Sequence, residues 1–196
     1  MELLSLDEVP GCSDVDEPAE TGLTFADNAR LKALYYARAT GRWCLADDSG
    51  LVVDAIGGAP GVHSARFAVE AFAPGAPRPA RDAANTAKLL KLMQAFAAPH
   101  RTARFVCHLA LADADRVLLE TFGTLEGRIA EAPRGENGFG YDPVFEVPHL
   151  GRTAAELSAD EKNAVSHRGQ AVRAFAALLD DFLRQDAQPA DTQQER

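Results

Sequence analysis

Two adjacent aspartates stand in the stretch CLADDSGL (44–51), directly after an apolar approach. Carboxylates at the end of a short buried strand suit a hard divalent cation such as Mg²⁺, which binds a few carboxylates together with water and phosphate oxygens. Asp47 or Asp48 could also orient or deprotonate an attacking water. Asp, Ser and Gly are favoured in turns as well, so the stretch taken alone favours an acidic turn over a metal site.

The segment GENGFGYDP (135–143) combines three glycines with two aromatic residues. Glycines allow a backbone to approach a ligand closely, and Phe139 or Tyr141 could stack on a base. The backbone amides of the loop, or Asp142, could then read the edge of that base. The alternative is a tight loop whose aromatic side chains fill the core.

Three potential cations, Lys162, His167 and Arg168, lie within the stretch EKNAVSHRG (161–169). Lysine and arginine bind phosphate well, and arginine can do so with two parallel hydrogen bonds. The same residues would also be typical of a solvated helix end. Two weaker signals are Arg66, with His63 after a Gly-Pro turn, and Glu20, which could join a metal shell or complement a helix dipole.

Taken together, these segments predict a triphosphate held between Mg²⁺ and basic side chains, with its base in an aromatic pocket. The sequence GxxxxGK[ST] does not occur, which argues against the chemistry of ATP-driven motors. The chain has 196 residues and a net charge of −9 without a basic run, so it is poorly suited to a nucleic-acid backbone.

The composition also predicts the cellular location of the protein. No apolar run reaches the length of a membrane span, and MELLSLDEVPG lacks the features of a signal peptide. The three cysteines show no CxxC spacing, which predicts reduced thiols rather than disulfides or a zinc site. A cytoplasmic protein is therefore expected, without a membrane or nucleic-acid partner.

Alternating and continuous apolar runs predict the strands. Short strands are expected over 43–46 and 51–56, separated by a D-D-S-G turn, and a hairpin is expected from 103–112 and 116–123. Two further strands are predicted over 127–131 and 143–147.

Apolar spacing and capping residues predict the helices. The first covers 24–40 with Thr24 as its N-cap, and the second covers 83–98 with Asp82 as its N-cap. A third helix begins at 159 after Ser158, and a last one covers about 170–184. These elements predict a single α/β domain over 1–185, followed by a tail (186–196) with the composition of a disordered segment.

Four segments in this order resemble the inosine/xanthosine triphosphate pyrophosphatase family: EPAETGLTFADNARLKA, LADDSGLVVDAIGGAPGVHSARFA, ENGFGYDPVF and AELSADEKNAVSHRGQA. The resemblance runs from about Glu17 to the final helix. It implies hydrolysis of ITP, dITP and XTP to the monophosphate and pyrophosphate with Mg²⁺, which removes deaminated purines from the nucleotide pool. It also implies an elongated α/β domain with a long mixed sheet, and a homodimer.

The same resemblance implies roles for individual residues. Asp48 would be the catalytic carboxylate and a metal ligand, with Asp47 and Glu20 as further metal ligands. The implied substrate-binding residues are Ser49, Phe139, Gly140, Tyr141, Asp142, Lys162, His167 and Arg168.

One departure from the family lies at the start of the sequence. The opening MELLSLDEVPG resembles the second strand of the family, so the usual first strand, Thr/Ser-x-Asn-x-x-Lys loop and helix would be absent. A start assigned too late is the favoured explanation. The alternative is an impaired or non-catalytic nucleotide-binding protein, and a third possibility is a pyrophosphatase for modified pyrimidine nucleotides.

Overall fold

The structure, a computed structural model, describes residues 2–10, 12 and 15–186. The predicted tail 186–196 lies outside this range except for Asp186, the last residue of the final helix. Among the described residues no helix combines the length and apolarity needed to cross a lipid bilayer.

Five strands form one sheet in the order in which they occur along the chain. They are β1 (Cys44–Val53), β2 (Thr102–Ala112), β3 (Val117–Ile129), β4 (Phe145–Val147) and β5 (Arg152–Thr153). The predicted α/β class and the predicted hairpin are confirmed. Every pairing between these strands is antiparallel. The described sheet is therefore antiparallel, whereas a mixed sheet was expected.

In the described part of the chain, four α-helices accompany this sheet: α1 (Phe25–Thr40), α2 (Arg78–Met93), α3 (Ala159–Val165) and α4 (His167–Asp186). Short 3₁₀ helices occupy Leu6–Glu8, Asp54–Ile56, Gly61–Arg66, Val69–Ala71, Ala98–His100, Asp142–Val144 and Ala154–Glu156.

The acidic segment of the sequence lies inside a strand and not in a turn. Strand β1 pairs with β2 residue by residue, with Asp47 opposite Leu109 and Asp48 opposite His108. The predicted turn is therefore wrong. Ladder hydrogen bonds to β2 outweigh the local turn preference of Asp, Ser and Gly, because tertiary pairing overrides propensity.

Alternation along β1 gives the sheet two differently covered faces. On one face α1 packs three buried alanines against β2. On the other face α4 packs Ala171 and Phe175 against Cys107, Leu109 and Leu111 of β2. We call these the α1 face and the α4 face.

Local signals set the ends of α1 and α3 as predicted. The hydroxyl of Thr24 accepts a hydrogen bond from the backbone N–H of Asp27, and α1 ends at Gly41 with a φ of 65°. The hydroxyl of Ser158 accepts from the backbone N–H of Glu161 at the start of α3. In both helices a side-chain oxygen satisfies a backbone donor that has no partner within the helix.

Three other predictions need correction. Helix α2 begins at Arg78 and not after Asp82, because Pro79 fits the first turn, where its missing N–H is not needed. The strand predicted over 127–131 is the end of β3, which continues to Ile129. The opening residues, likened to a strand, form a 3₁₀ helix at Leu6–Glu8, where Ser5 and Glu8 cap each other.

Gly123 allows α4 to lie directly on β3. A Cβ atom at this position would lie 2.2 Å from the carbonyl oxygen of His167 and 2.8 Å from the backbone nitrogen of Ala171. Both are backbone atoms, so a side chain would push the first turn of α4 away from the sheet.

Replacing Gly123 by alanine is expected to lower the free energy of unfolding by about 1–3 kcal/mol, as overpacking does in cores. Urea unfolding followed by circular dichroism measures this loss. Phe122→Ala is the control, because Phe122 is the adjacent residue on the opposite face and is 68% exposed. It should cost less than about 1 kcal/mol, and an equal loss in both variants would contradict the close helix approach.

Candidate active site

Two carboxylates and a lysine form a compact cluster on the α1 face. The Lys32 ammonium lies 2.6 Å from Oδ1 of Asp48 and 3.0 Å from Oε1 of Glu20. Asn28, one turn before Lys32 on α1, donates to Oδ2 of Asp48 at 3.4 Å. Arg66 donates to the other oxygen of Glu20 at 2.9 Å. Spacing of four residues places Asn28 and Lys32 on the side of α1 that covers β1.

The two carboxylates differ in their proton affinity. Burial raises the pKa of Asp48 above its ordinary value, although Lys32 acts in the opposite direction. Burial also acts upward on Glu20, but its hydrogen bonds with Arg66 and Lys32 outweigh burial and lower its pKa. Asp48 is thus more basic than an ordinary aspartate, which is the property required to accept a proton from water.

The residues of this cluster fit a divalent cation that takes most of its ligands from water and from substrate phosphate. Glu20 and Asp48 converge on one positive charge, the ammonium of Lys32. Among the described residues there is no group of three or more side chains able to hold a metal. A hard cation that keeps water and takes phosphate oxygens needs only one or two protein carboxylates.

Asp47 belongs to a different cluster, on the α4 face. Its carboxylate accepts hydrogen bonds from Nε and Nη2 of Arg168 at 2.7 and 3.3 Å, and from the hydroxyl of Ser49 at 2.5 Å. Burial alone would raise its pKa, but Arg168 and Ser49 lower the pKa instead. Asp47 thus lies on the face of β1 opposite Asp48, because neighbouring residues of a strand point to opposite faces, and a metal shared by the two aspartates stays a prediction.

A cavity of about 1180 Å³ opens on the α4 face, between the sheet, the loop 135–142 and the junction of α3 with α4. All of the predicted substrate-binding residues line it: Ser49, Phe139, Gly140, Tyr141, Asp142, Lys162, His167 and Arg168. Glu20 and Asp48 do not line this cavity. The site therefore has two parts, a carboxylate cluster and a cavity, on the two faces of β1.

The loop at the cavity mouth is held by Asp142. Its buried carboxylate accepts a hydrogen bond from the backbone N–H of Phe139 at 2.8 Å and forms an ion pair with Lys162. Gly138 has a φ of 78°, and a Cβ atom there would lie 2.1 Å from Asp142. Only glycine meets both requirements at this position.

The two aromatic residues of this loop have different roles. Tyr141 is buried, and its hydroxyl donates to the carbonyl oxygen of Ser64 at 2.9 Å. Burial raises its pKa. Phe139 is 46% exposed at the cavity, so of the two it is the ring available to a ligand. The core-filling interpretation thus holds for Tyr141, and the stacking interpretation fits Phe139.

Two of the predicted basic residues, Lys162 and Arg168, lie at Phe139 and not at Glu20 and Asp48. The Lys162 ammonium lies 4.8 Å from the centroid of the Phe139 ring, and the Arg168 guanidinium lies 5.8 Å from it. The predicted cationic cluster is therefore present, but it lies at the aromatic end of the site. Lys32 and Arg66 supply positive charge at the carboxylate end.

His167 lines the cavity as a neutral imidazole. Its ring stacks on Phe105 with 4.9 Å between centroids, and its buried Nδ1 has no hydrogen-bond partner among the described residues. Burial, with the nearby charge of Arg168, lowers the pKa of His167 to about 4. It offers a hydrogen bond rather than a charge at neutral pH.

Comparison with known proteins identifies the family. The model of the Ham1 family matches residues 1–178. This chain belongs to the Ham1 family. It is 52% identical over 172 residues to a dITP/XTP pyrophosphatase of Geobacillus kaustophilus, covering 88% of this chain and 79% of that protein. A dITP/XTP pyrophosphatase of Desulforamulus reducens is 48% identical, with 91% and 83% covered.

Solved Ham1 structures have the same fold. A HAM1 protein from Coxiella burnetii superposes with a TM-score of 0.76 at 45% identity, over 85% of this chain and 82% of that one. The Ham1 protein of Staphylococcus aureus gives 0.74 at 41% identity, over 86% and 82%.

Sequence reasoning missed several residues of this Ham1 site. Lys32 and Asn28 contact Asp48, and Arg78 lies over the Phe139 ring. The four-residue spacing of Asn28 and Lys32 after the acidic segment was the available signal. His63, named as a weak candidate, is exposed and does not line the cavity.

The pair between Asp47 and Arg168 joins β1 to α4, and a double-mutant cycle tests it. Asp47→Asn and Arg168→Gln should each destabilise the fold, with a coupling energy of about 1 kcal/mol because both side chains are partly exposed. Urea unfolding of the four proteins gives this coupling. Strictly additive losses would show that the two charges do not depend on each other.

His167 should make stability depend on pH in the acid range. Its pKa in the folded state, about 4, lies below the ordinary value of 6.5 for histidine, so the unfolded chain binds more protons between these values. Stability should therefore fall as pH drops from 6.5 to 4, with His167 contributing about 2–3 kcal/mol of the fall. His167→Gln should reduce this slope in unfolding curves measured at several pH values. The same slope in the variant would contradict the buried neutral imidazole.

Proposed function

We propose that this chain hydrolyses the deaminated purine nucleotides dITP, ITP and XTP to the monophosphate and pyrophosphate, and so cleanses the nucleotide pool. The observation that carries the proposal is the pairing of a carboxylate cluster on one face of β1 with a cation-rimmed aromatic cavity on the other. The curated relatives, named dITP/XTP pyrophosphatases, support the same activity. They do not favour the non-catalytic alternative.

Glu20 and Asp48 would hold the divalent cation, which we propose to be Mg²⁺. When bound, it would supply positive charge to the triphosphate oxygens. Asp48 orients a water molecule toward the α-phosphorus and accepts its proton as the water oxygen bonds to the phosphorus. The bond from the α-phosphorus to the bridging oxygen breaks, and pyrophosphate leaves with the electron pair. Lys32 and Arg66 supply positive charge at this end of the site, which stabilises the charge that develops.

Recognition of the base falls to the cavity. Phe139 provides the stacking surface, and Lys162 and Arg168 provide hydrogen-bond donors around it. A 6-oxo group accepts from such donors, whereas the amino group of adenine leaves them unpaired at a cost of about 1–3 kcal/mol each. The loop 135–142 and the start of α4 therefore select 6-oxopurines over adenine, with Ser49 and His167 as further contacts.

Three wider properties belong to the same proposal. We propose one pyrophosphatase domain over 1–185, a homodimer, and a cytoplasmic location. The resemblance to the inosine/xanthosine triphosphate pyrophosphatases supports the first two, and the composition of the chain supports the third.

Replacing Asp48 by asparagine tests the proposal. The purified chain should release pyrophosphate from dITP, ITP and XTP in the presence of Mg²⁺, and far less from ATP. Asp48→Asn should lower kcat for dITP about 10²–10⁴-fold, since it removes the proton acceptor. Its fold should persist, because Lys32 keeps its ion pair with Glu20.

Asp115→Asn provides the matched control, because Asp115 is exposed in the turn between β2 and β3. It should keep the parental rate. Parental turnover of dITP by Asp48→Asn would refute the catalytic assignment. Release of pyrophosphate from ATP and dITP at equal rates would refute the proposed selectivity.

A further inference from the structure

Three cations surround the exposed ring of Phe139. The guanidinium of Arg78 lies closest, 4.2 Å from the ring centroid, with Lys162 at 4.8 Å and Arg168 at 5.8 Å. Arg78 begins α2, and its side chain lines the same cavity. A cation over an aromatic face is attracted by the ring quadrupole, so the position of Arg78 is a favourable one.

These three cations differ in how firmly they are held. Lys162 forms an ion pair with Asp142, and Arg168 forms two hydrogen bonds with Asp47. The nearest carboxylate oxygen to Arg78 is 3.7 Å from its Nε and belongs to Asp82, and the Arg78 side chain is 60% exposed. Arg78 can therefore leave the ring at a lower cost than the other two cations.

A base stacked on the face of Phe139 that Arg78 covers would take the place of its guanidinium. Placing a flat base between the ring and the guanidinium needs about 7 Å, which is twice the optimal contact distance between carbon atoms. The observed separation is 4.2 Å. Arg78 must then move outward, where its planar guanidinium can stack on the outer face of the base.

We propose that Arg78 is a specificity residue, which closes over the bound base and favours xanthine over hypoxanthine. This inference rests on the function proposed above. Xanthine in a nucleotide loses an N–H proton in the weakly acidic range and is largely anionic at neutral pH, whereas hypoxanthine is neutral. A stacked guanidinium gains a charge–charge attraction with the first base and only cation–π attraction with the second.

The positive rim of the cavity agrees with this preference. Asp47 and Asp142 balance Arg168 and Lys162, so Arg78 adds the charge that is least compensated next to the ring. Asp82 is shared, because its carboxylate also accepts a hydrogen bond from the backbone N–H of Gly140 at 2.9 Å.

The test compares kcat/KM for XTP and ITP, two substrates with the same sugar and phosphates. Arg78→Gln should lower kcat/KM for XTP about 5- to 30-fold and for ITP less than about 3-fold, so the XTP/ITP ratio falls. Arg78→Lys keeps the charge without the planar guanidinium and should give an intermediate ratio. An Arg78→Gln ratio equal to that of the parent would overturn the proposal, as would equal losses for both substrates, which indicate a phosphate contact.

Arg81→Gln separates stacking from a general effect of charge. Arg81 lies one turn further along α2 and also lines the cavity, so its loss changes the net charge by the same amount. The XTP/ITP ratio of Arg81→Gln should stay closer to the parental ratio than that of Arg78→Gln. An equal fall in both variants would assign the preference to the general positive field of the cavity and overturn the role of Arg78.

Binding of the products XMP and IMP keeps this test independent of turnover. Calorimetry on the full chain should show that Arg78→Gln weakens XMP more than IMP by a similar factor. If the parent released no pyrophosphate from XTP or ITP, the proposed function would fail. The XMP/IMP affinity ratio would still show whether Arg78 favours xanthine over hypoxanthine. Pyrophosphate release with an unchanged XTP/ITP ratio would leave the function standing and remove the role of Arg78.

Discussion

Strand β1 carries two carboxylates in adjacent positions, and the geometry of an extended strand sends them to opposite faces of the sheet. Each is partly or wholly removed from water, so each needs a positive partner on its own face. Helix α1 supplies Lys32 to Asp48, and helix α4 supplies Arg168 to Asp47. The same pair of residues thus ties a helix to each side of β1 and divides the site into its two parts.

The ion pairs of Asp47 and Asp48 contribute more to the position of the site residues than to the stability of the fold. Removing two ions from water costs about as much as their attraction returns, so pairs of this kind add little to the free energy of folding. They do fix the direction of the side chains. Lys32 holds Asp48 and Glu20 together, and Asp47 directs Arg168 along the wall of the cavity. Both clusters are therefore held in place by contacts within the protein.

Features of the fold that depend on local chemistry could be predicted from the sequence, whereas features that depend on tertiary pairing could not. The caps of α1 and α3 and the hairpin of β2 and β3 depend on local chemistry, as Thr24 and Ser158 illustrate. Eight candidate substrate-binding residues could be named through the family resemblance, and all of them line one cavity. The path of β1 could not be predicted from its own residues, because it depends on pairing with β2. The opposite directions of Asp47 and Asp48 follow from the same cause, since neighbouring residues of a strand point to opposite faces.

A short segment at the free edge of β1 links the two faces. Within the described sheet β1 is an edge strand, and the hydroxyl of Ser64 accepts a hydrogen bond from the backbone N–H of Leu51 at 2.9 Å. The carbonyl oxygen of Ser64 accepts from the hydroxyl of Tyr141 in the loop of the cavity, whereas Arg66, two residues later, binds Glu20 of the carboxylate cluster. Only a segment lying along the edge of a sheet can reach both of its faces.

Gly50 makes this approach possible, because a Cβ atom there would lie 2.4 Å from the Ser64 hydroxyl oxygen and 2.8 Å from the carbonyl oxygen of Gly61. The distance between the carboxylates and the base loop is thus set by Gly61–Arg66, and the length of a nucleoside triphosphate must match a spacing that this segment fixes.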